Sequence, residues 1–223
     1  MKWYGVFFLP ALNATSLLLF LGFSGSTFGA LLLLGAEVLA QPTESGWKAK
    51  EFSARMEWKH DGRKSEALLF VKNDRYRIEH FGGVKTELGY ATVTIVRLDE
   101  QKLWYLISER RVVVGVPLTS EFLLPFSVRL EGETSRMLIG DSMVKDQFAL
   151  LYDVEVQNRF GKTERFFEWV DPERDVLLKL VSQDRDWFVE YEHVVLSTQP
   201  AYYFEAPLGY RVIEAQEARR PNG

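Results

Sequence analysis

The feature that most constrains this chain is the alternation of apolar and polar residues that begins near residue 52 and recurs toward residue 214. In FSARMEWK, residues 52–59, every second side chain is apolar. A period of two is the pattern of a β-strand with one face on a core and the other in water. Comparable runs are SEALLFV, RYRIEHF, ATVTIVRL, LWYLIS, RVVVGV, FALLYDVEV and RFFEWV, and turn-like strings separate them, with Gly82-Gly83 expected to end the third strand. The chain is therefore predicted to be mainly β, built from antiparallel hairpins.

One apolar stretch, VPLTSEFLLPFSVRL, does not fit a strand. Its two prolines argue against a central strand and against a long helix. We expect one short helix or irregular segment over residues 120–126, lying across the open side of the sheet. Two interpretations stay open, namely a mobile lid over an apolar cavity and a fixed plug that only completes the core.

The first forty residues differ from the rest, since Lys2 and Glu37 are the only charged residues among them. A cation followed by a long apolar run is typical of an export signal, and Val38-Leu39-Ala40 supplies a cleavage site for a signal peptidase. A retained membrane anchor, residues 6–36, is the alternative, because an apolar run of this length can span a bilayer. In both cases the remaining chain is expected outside the cytoplasm, in the periplasm.

The predicted domain organisation follows from these patterns. Residues 1–40 form a signal peptide or N-terminal anchor, 41–50 a linker, 51–214 the β domain, and 215–223 a flexible C-terminal tail. The net charge of −4, without a run of basic residues, argues against nucleic acid as a partner. The absence of cysteine excludes disulfides, thiolate catalysis, cysteine-ligated zinc and iron–sulfur clusters.

The string Asp171-Pro172-Glu173-Arg174-Asp175 is the candidate for paired catalytic carboxylates, but a hairpin turn explains it better. A proline sets the turn and the charges are expected at its solvated tip, whereas a catalytic pair needs one poorly solvated member. Alanine at all three acids is accordingly expected to cost little stability. His60, His80 and His193 lie on separate strands or turns without metal-ligand spacing. We therefore expect no catalytic residue, no metal and no cofactor.

Four motifs give a family resemblance. FVKNDRYRIEHFG, TVTIVRLDEQKLWYLISERRVVVGVPL, RFFEWVDPERDVLLKLVSQD and YYFEAPLGYRVI follow in an order and spacing that resemble the LolA/LolB-like superfamily of periplasmic lipoprotein carriers, above all its uncharacterised exported relatives. The resemblance covers about residues 50–214. It implies an antiparallel curved sheet that forms an incomplete barrel, a short helical lid or plug on its concave side, and an apolar cavity that accepts lipid or acyl chains.

Two functional hypotheses follow. The first is an exported, non-enzymatic binder or carrier of a hydrophobic ligand, a lipid or the acyl chain of a lipoprotein, in the bacterial cell envelope. The second is an envelope protein-binding adaptor or stress-sensor module that uses the same fold. Membrane contact is expected only through an uncleaved N-terminal segment. The alternation and the irregular segment together predict a ligand-binding set on the concave face: Met56, Trp58, Tyr76, Ile78, Trp104, Leu106, Phe122, Leu123, Phe126, Phe148, Leu150, Phe167, Trp169, Leu178, Leu180, Val189 and Tyr191.

Overall fold

The computed structural model describes residues 51–60, 62–158 and 160–215. The predicted leader and linker, and all of the predicted tail except Ala215, lie outside the described residues. Within them no helix is long and apolar enough to cross a membrane. The strands are β1 (Phe52–His60), β2 (Arg63–Lys72), β3 (Arg75–Thr86), β4 (Gly89–Arg97), β5 (Lys102–Ile107), β6 (Val112–Pro117), β7 (Glu133–Val144), β8 (Gln147–Gln157), β9 (Thr163–Asp171), β10 (Val176–Ser182), β11 (Phe188–Leu196) and β12 (Arg211–Glu214).

All twelve strands belong to one sheet, in the order β12-β6-β5-β4-β3-β2-β1-β11-β10-β9-β8-β7. Neighbouring strands are antiparallel except β12 and β6, which run parallel. Two meanders, β1 to β6 and β7 to β11, meet where β1 pairs with β11. The end strands β12 and β7 do not pair with each other, so the sheet is an incomplete barrel, as the sequence predicted.

The two faces of the sheet are covered by different parts of the chain. The inner face, defined here by Phe52, Tyr76 and Tyr191, packs against residues 118–130, which we call the covering segment. This segment contains one 3₁₀ turn, Ser120–Phe122, and is otherwise irregular. The opposite, outer face packs at β4 to β6 against the residues around a second 3₁₀ turn, Ala201–Phe204. Further 3₁₀ turns lie at Leu98–Glu100 and Ser108–Arg110.

Gly82 and Gly83 do not end the third strand, contrary to the prediction. Strand β3 continues to Thr86, and the pairing register with β4 shifts between Glu79 and Val84. Gly83 has φ +67°, a left-handed conformation that glycine adopts without strain. The glycine pair therefore forms an irregularity within one long strand, the role that glycine often has inside strands.

The acidic string at residues 171–175 is a hairpin turn, as predicted, because β9 ends at Asp171 and β10 begins at Val176. Asp171, however, is buried, with 6% of its surface exposed. Its carboxylate accepts hydrogen bonds from the backbone N–H of Glu173 (2.9 Å) and of Arg174 (3.0 Å), and from the side chain of Gln147 (2.6 Å). Burial alone raises the pKa of Asp171, but the hydrogen bonds from Arg174, Gln147 and Glu173 outweigh it and lower the pKa.

The expectation that alanine at all three acids costs little stability rests on their exposure, and Asp171 is buried. We predict that Asp171→Ala lowers the free energy of unfolding by about 1–3 kcal/mol, because several donors lose a charged acceptor in a partly buried turn. Glu173→Ala, at the exposed tip of the same turn, is the matched control and should change stability by about 0.5 kcal/mol or less. Urea denaturation measures both. Equal effects of the two substitutions would contradict the structural role of Asp171.

Candidate ligand-binding face

The inner face is closed by aromatic packing from the covering segment. The ring of Phe126 lies in edge contact with Tyr76, at a centroid distance of 5.0 Å, and with Phe52, at 5.8 Å. Tyr191 is the third ring around it, at 6.0 Å. Phe122 packs in the same way on Tyr105, at 6.1 Å. Two side chains of the covering segment thus occupy the middle of the face.

Two hydrogen bonds tie the covering segment to the sheet. The hydroxyl of Tyr191 donates to the carbonyl oxygen of Pro125 at 2.7 Å, and that of Tyr76 donates to the carbonyl oxygen of Phe122. Burial raises the pKa of both tyrosines well above the ordinary value, so both hydroxyls remain donors at any ordinary pH. Because the segment has little regular structure of its own, these bonds help to satisfy backbone carbonyls that the sheet does not reach.

Most of the predicted set reaches the inner face, but as packed core. Strand register places these residues on it: Met56, Trp58, Tyr76, Ile78, Leu150, Leu180, Val189 and Tyr191, with Leu178 buried beside them at an irregularity of β10. Phe122 and Phe126 pack on it, and Leu123 is half-buried. Met56 and Val189 are fully buried. A ligand therefore has to displace the covering segment to touch the centre of this face.

Trp104 and Leu106 are on the outer face, contrary to the prediction. Leu103 and Tyr105 take the inner positions of β5, opposite Val96 and Thr94 of β4. Strand β5 is apolar at both alternating sets of positions because the chain around Phe204 covers its other side. The alternation therefore carries no information on which set faces inward.

Phe167 and Trp169 are also on the outer face. Their neighbours Phe166, Glu168 and Val170 point inward, as the pairing of Glu168 with Leu180 shows. The inward set of this strand contains a charged residue, Glu168, which is fully buried. Trp169 instead stacks under the ammonium of Lys179, at 5.6 Å, on the outer face.

Within the described residues, apolar side chains of the inner face are exposed toward the β7 edge. Leu138, Met143 and Phe148 point to this side by register, and they are 53%, 55% and 46% exposed. Met137 and Ile139 of the same strand are also exposed. These five residues form what we call the open-edge patch. The sequence analysis included only Phe148 of the five, because β7 carries no clean alternation.

A buried ion pair lies between the open-edge patch and the covering segment. Arg136 of β7 approaches Glu168 of β9 with 2.6 Å between Nη2 and Oε2. Among the described residues, neither carboxylate oxygen of Glu168 has a hydrogen-bond partner. Arg136 also donates to Glu133 (Nε to Oε1, 2.9 Å) and to the carbonyl oxygen of Val128 in the covering segment. Sequence reasoning missed this group because a buried charge has no signal in an apolar periodicity.

His80 is a further titratable group on the inner face. Its Nε2 lies 2.8 Å from the hydroxyl oxygen of Thr94, and its ring lies beside Trp58. Burial lowers the pKa of His80 to about 4, so the imidazole is neutral at physiological pH. In the described part of the chain, no three histidine, aspartate or glutamate side chains come close enough together to hold a metal ion.

Two surface clefts lie away from the predicted ligand-binding set. One, of about 360 Å³, is lined by Lys72, Arg75, Asp99 and Phe204 among others; Lys72 is paired with Glu51, and Arg75 with Asp99. The other, of about 220 Å³, lies at the β6 end of the inner face and is lined in part by Tyr105 and Val116. None of the predicted ligand-binding residues lines either cleft.

Comparison with known proteins gives likeness only among solved structures, since no family model and no curated protein matches the chain. MucB matches 74% of this chain and 60% of its own length, at 16% identity and a TM-score of 0.48. The MucA/MucB complex of Pseudomonas aeruginosa matches 73% and 58%, at 15% identity and 0.43. The LolA superfamily protein NE2245 from Nitrosomonas europaea matches 71% of this chain and 91% of its own, at 10% identity and 0.34.

The incomplete barrel is established by the strand order itself. The chain spans less than two thirds of the MucB chains that it matches. With identities of 16% or less and TM-scores below 0.5, the matches carry no argument about function.

We predict that Tyr191→Phe loosens the covering segment while the sheet stays folded. The change removes the donor to Pro125 and leaves a buried carbonyl oxygen unpaired, which costs about 1–2 kcal/mol and corresponds to roughly ten-fold faster hydrogen exchange in residues 120–130. Tyr202→Phe, at a tyrosine that is 72% exposed, is the control. Exchange in the segment that stays as slow as in β1 and β2 in both variants would show a fixed plug that opens only on global unfolding.

Proposed function

We propose that this chain is an exported, non-enzymatic binder or carrier of a hydrophobic ligand in the bacterial cell envelope. The ligand class is a lipid or the acyl chain of a lipoprotein, and the site is the inner face. Residues 1–40 are proposed to direct export, either as a cleaved signal or as a retained inner-membrane anchor. The periplasm is the proposed location.

The observation that carries this proposal is the closure of the inner face. An apolar face of a large open sheet is covered by an irregular segment that inserts Phe126 between three aromatic rings and is held by two tyrosine hydroxyls. A long regular element packed by many side chains would be far harder to displace than this segment.

The energetics permit such an exchange. Burial of an acyl chain contributes about 0.8 kcal/mol per methylene, so ten methylenes supply about 8 kcal/mol before the cost of association. Removing Phe126 from its site costs about 3–5 kcal/mol by analogy with aromatic truncations in cores. Leu138, Met143 and Phe148 of the open-edge patch supply an exposed apolar surface on the same face, where a ligand can make first contact.

The test is a titration of the purified chain with a dansyl-labelled fatty acid, in which the fluorescence of the probe reports binding. Leu138→Lys, in the open-edge patch, should weaken binding at least ten-fold because it places a charge on the entry path. Leu208→Lys is the matched control, since Leu208 is fully exposed and lies outside the inner face. No saturable binding by the unaltered chain, or equal affinity in the two variants, would overturn the proposal.

A protein-binding adaptor is the second candidate, and the free edge of β7 favours it. Strand β7 is twelve residues long and pairs only with β8, so its other edge is available in the described structure. An extended segment of a partner protein can add there as a thirteenth strand. Its backbone hydrogen bonds supply affinity, and the contacts of its apolar side chains with Met137 and Ile139 supply specificity.

Strand addition predicts a particular footprint. Peptides selected against the chain from a display library should be rich in alternating apolar residues and should slow hydrogen exchange in residues 133–144. Ile139→Lys, which puts a charge on the edge as natural edge strands do, should abolish their binding. Val195→Lys, at an equally exposed valine of β11, which is not an edge strand, is the control. Protection of another strand instead of β7 would reject this mode.

A further inference from the structure

The buried pair of Glu168 and Arg136 connects the sheet to the end of the covering segment. Glu168 is fully buried on the inner face. Arg136, whose side chain is 10% exposed, contacts that carboxylate and donates to the carbonyl oxygen of Val128. Glu133 holds the same end of the segment, because it accepts from the backbone N–H of Leu130 at 3.3 Å.

Two carboxylates share one buried guanidinium in this group. Glu133 binds Arg136 through both oxygens, at 2.9 and 3.0 Å, and Glu168 competes for the same cation. The second cation nearby, Arg129, contacts Glu133 at 2.6 Å, but its side chain is 73% exposed and its field is screened. The charge of Glu168 is therefore poorly compensated in a site without water contact.

The structure assigns to Glu168 the role of a charge-dependent latch on the covering segment. When its carboxyl is neutral, the segment stays closed on the inner face; when the carboxyl is ionised, opening is favoured, because only the open state hydrates the second carboxylate. The latch regulates access to the inner face, the site of the proposed function. Its biological role rests on that proposed function, whereas its mechanism does not.

The direction in which pH shifts the opening equilibrium of the covering segment follows from proton linkage. Burial, only partly offset by Arg136, raises the pKa of Glu168 to about 7 from an ordinary value of 4.5. The closed state therefore binds a proton more tightly than an open state in which Glu168 meets water, and rising pH favours opening. With these two values, the opening equilibrium increases by up to about 75-fold between pH 5 and pH 8.5.

The other groups that face Glu168 do not reverse the direction of this pH dependence. They are Arg136 and Glu133 of β7, Arg129 of the covering segment and Tyr152 of β8, whose ring lies under the Arg136 guanidinium at 4.8 Å; the β10 residue opposite Glu168 is Leu180. His80, elsewhere on the inner face, titrates at lower pH, and its depressed pKa removes stability as pH falls below about 6.5. That effect is opposite in direction and is common to all variants of Glu168.

The experiment is hydrogen exchange of the full chain at pH 5 and pH 8.5, expressed as protection factors that correct for the intrinsic rates. In the unaltered chain, protection of residues 120–130 should fall at least ten-fold at the higher pH, while β1 and β2 stay protected. In Glu168→Gln, a neutral side chain of the same shape, the change should be less than about two-fold. Glu164→Gln on the same strand, where Glu164 pairs with Arg185 near the surface, should behave like the unaltered chain.

A second variant keeps the latch testable if Glu168→Gln does not fold. Glu133→Gln releases Arg136 to Glu168 alone, so the ratio of protection factors between the two pH values should shrink toward one. Equal protection of the segment at both pH values in the unaltered chain, the same pH dependence in Glu168→Gln, or a parallel loss of protection in β1 and β2 would each overturn the latch.

The readout needs no ligand, so the two proposals fail separately. A chain that binds the dansyl-labelled fatty acid without pH-dependent protection loses only the latch. A chain with the pH dependence but without probe binding loses only the proposed function.

Discussion

The pairing of β1 with β11 is the interaction on which the rest of this structure depends. In the part of the chain that the structure describes, every other antiparallel contact joins consecutive strands, so the two meanders pair at this seam alone. On the inner face the seam carries Phe52, Met56 and Tyr191, and Phe126 of the covering segment lies over two of these side chains. The covering segment thus packs on the one non-local antiparallel pairing among the described strands.

The sheet order follows from local sequence to a large extent, because hairpins connect nearly all neighbours. Alternation in FSARMEWK and FALLYDVEV correctly placed Met56, Trp58 and Leu150 inside, since each of these strands has one consistently apolar set of positions. The prolines likewise marked the segment that lies outside the sheet. What alternation cannot supply is the partner of a distant strand: the seam of β1 with β11 and the parallel addition of β12 have no local signal.

The wrong assignments of residues to the two faces have two physical origins, namely cover on both faces of a strand and a buried charge. Strand β5 buries both of its sides because the chain around Phe204 packs on the outer face, so Trp104 and Leu106 are as apolar as true inner residues. In β9 the error arose from Glu168, whose charge is compensated in part by an arginine thirty-two positions earlier in the chain. A single buried charge inverted the assignment of Phe167 and Trp169, because register errors of one residue exchange the two faces.

An incomplete barrel has to satisfy two conflicting demands at its open side. The apolar inner face needs cover, but the described sheet ends at β7, so no further strand of that sheet supplies it. The covering segment supplies the cover with aromatic side chains and with carbonyl oxygens that Tyr76, Tyr191 and Arg136 bind. Each of these contacts is single and local, so the closed state is held by a few separable interactions and not by a continuous ladder. A buried ion pair is rarely better for stability than a pair of well-packed hydrophobic side chains, so a firm closure does not need Glu168 and Arg136 as a pair. The buried acid therefore fits the charge-dependent latch that we propose.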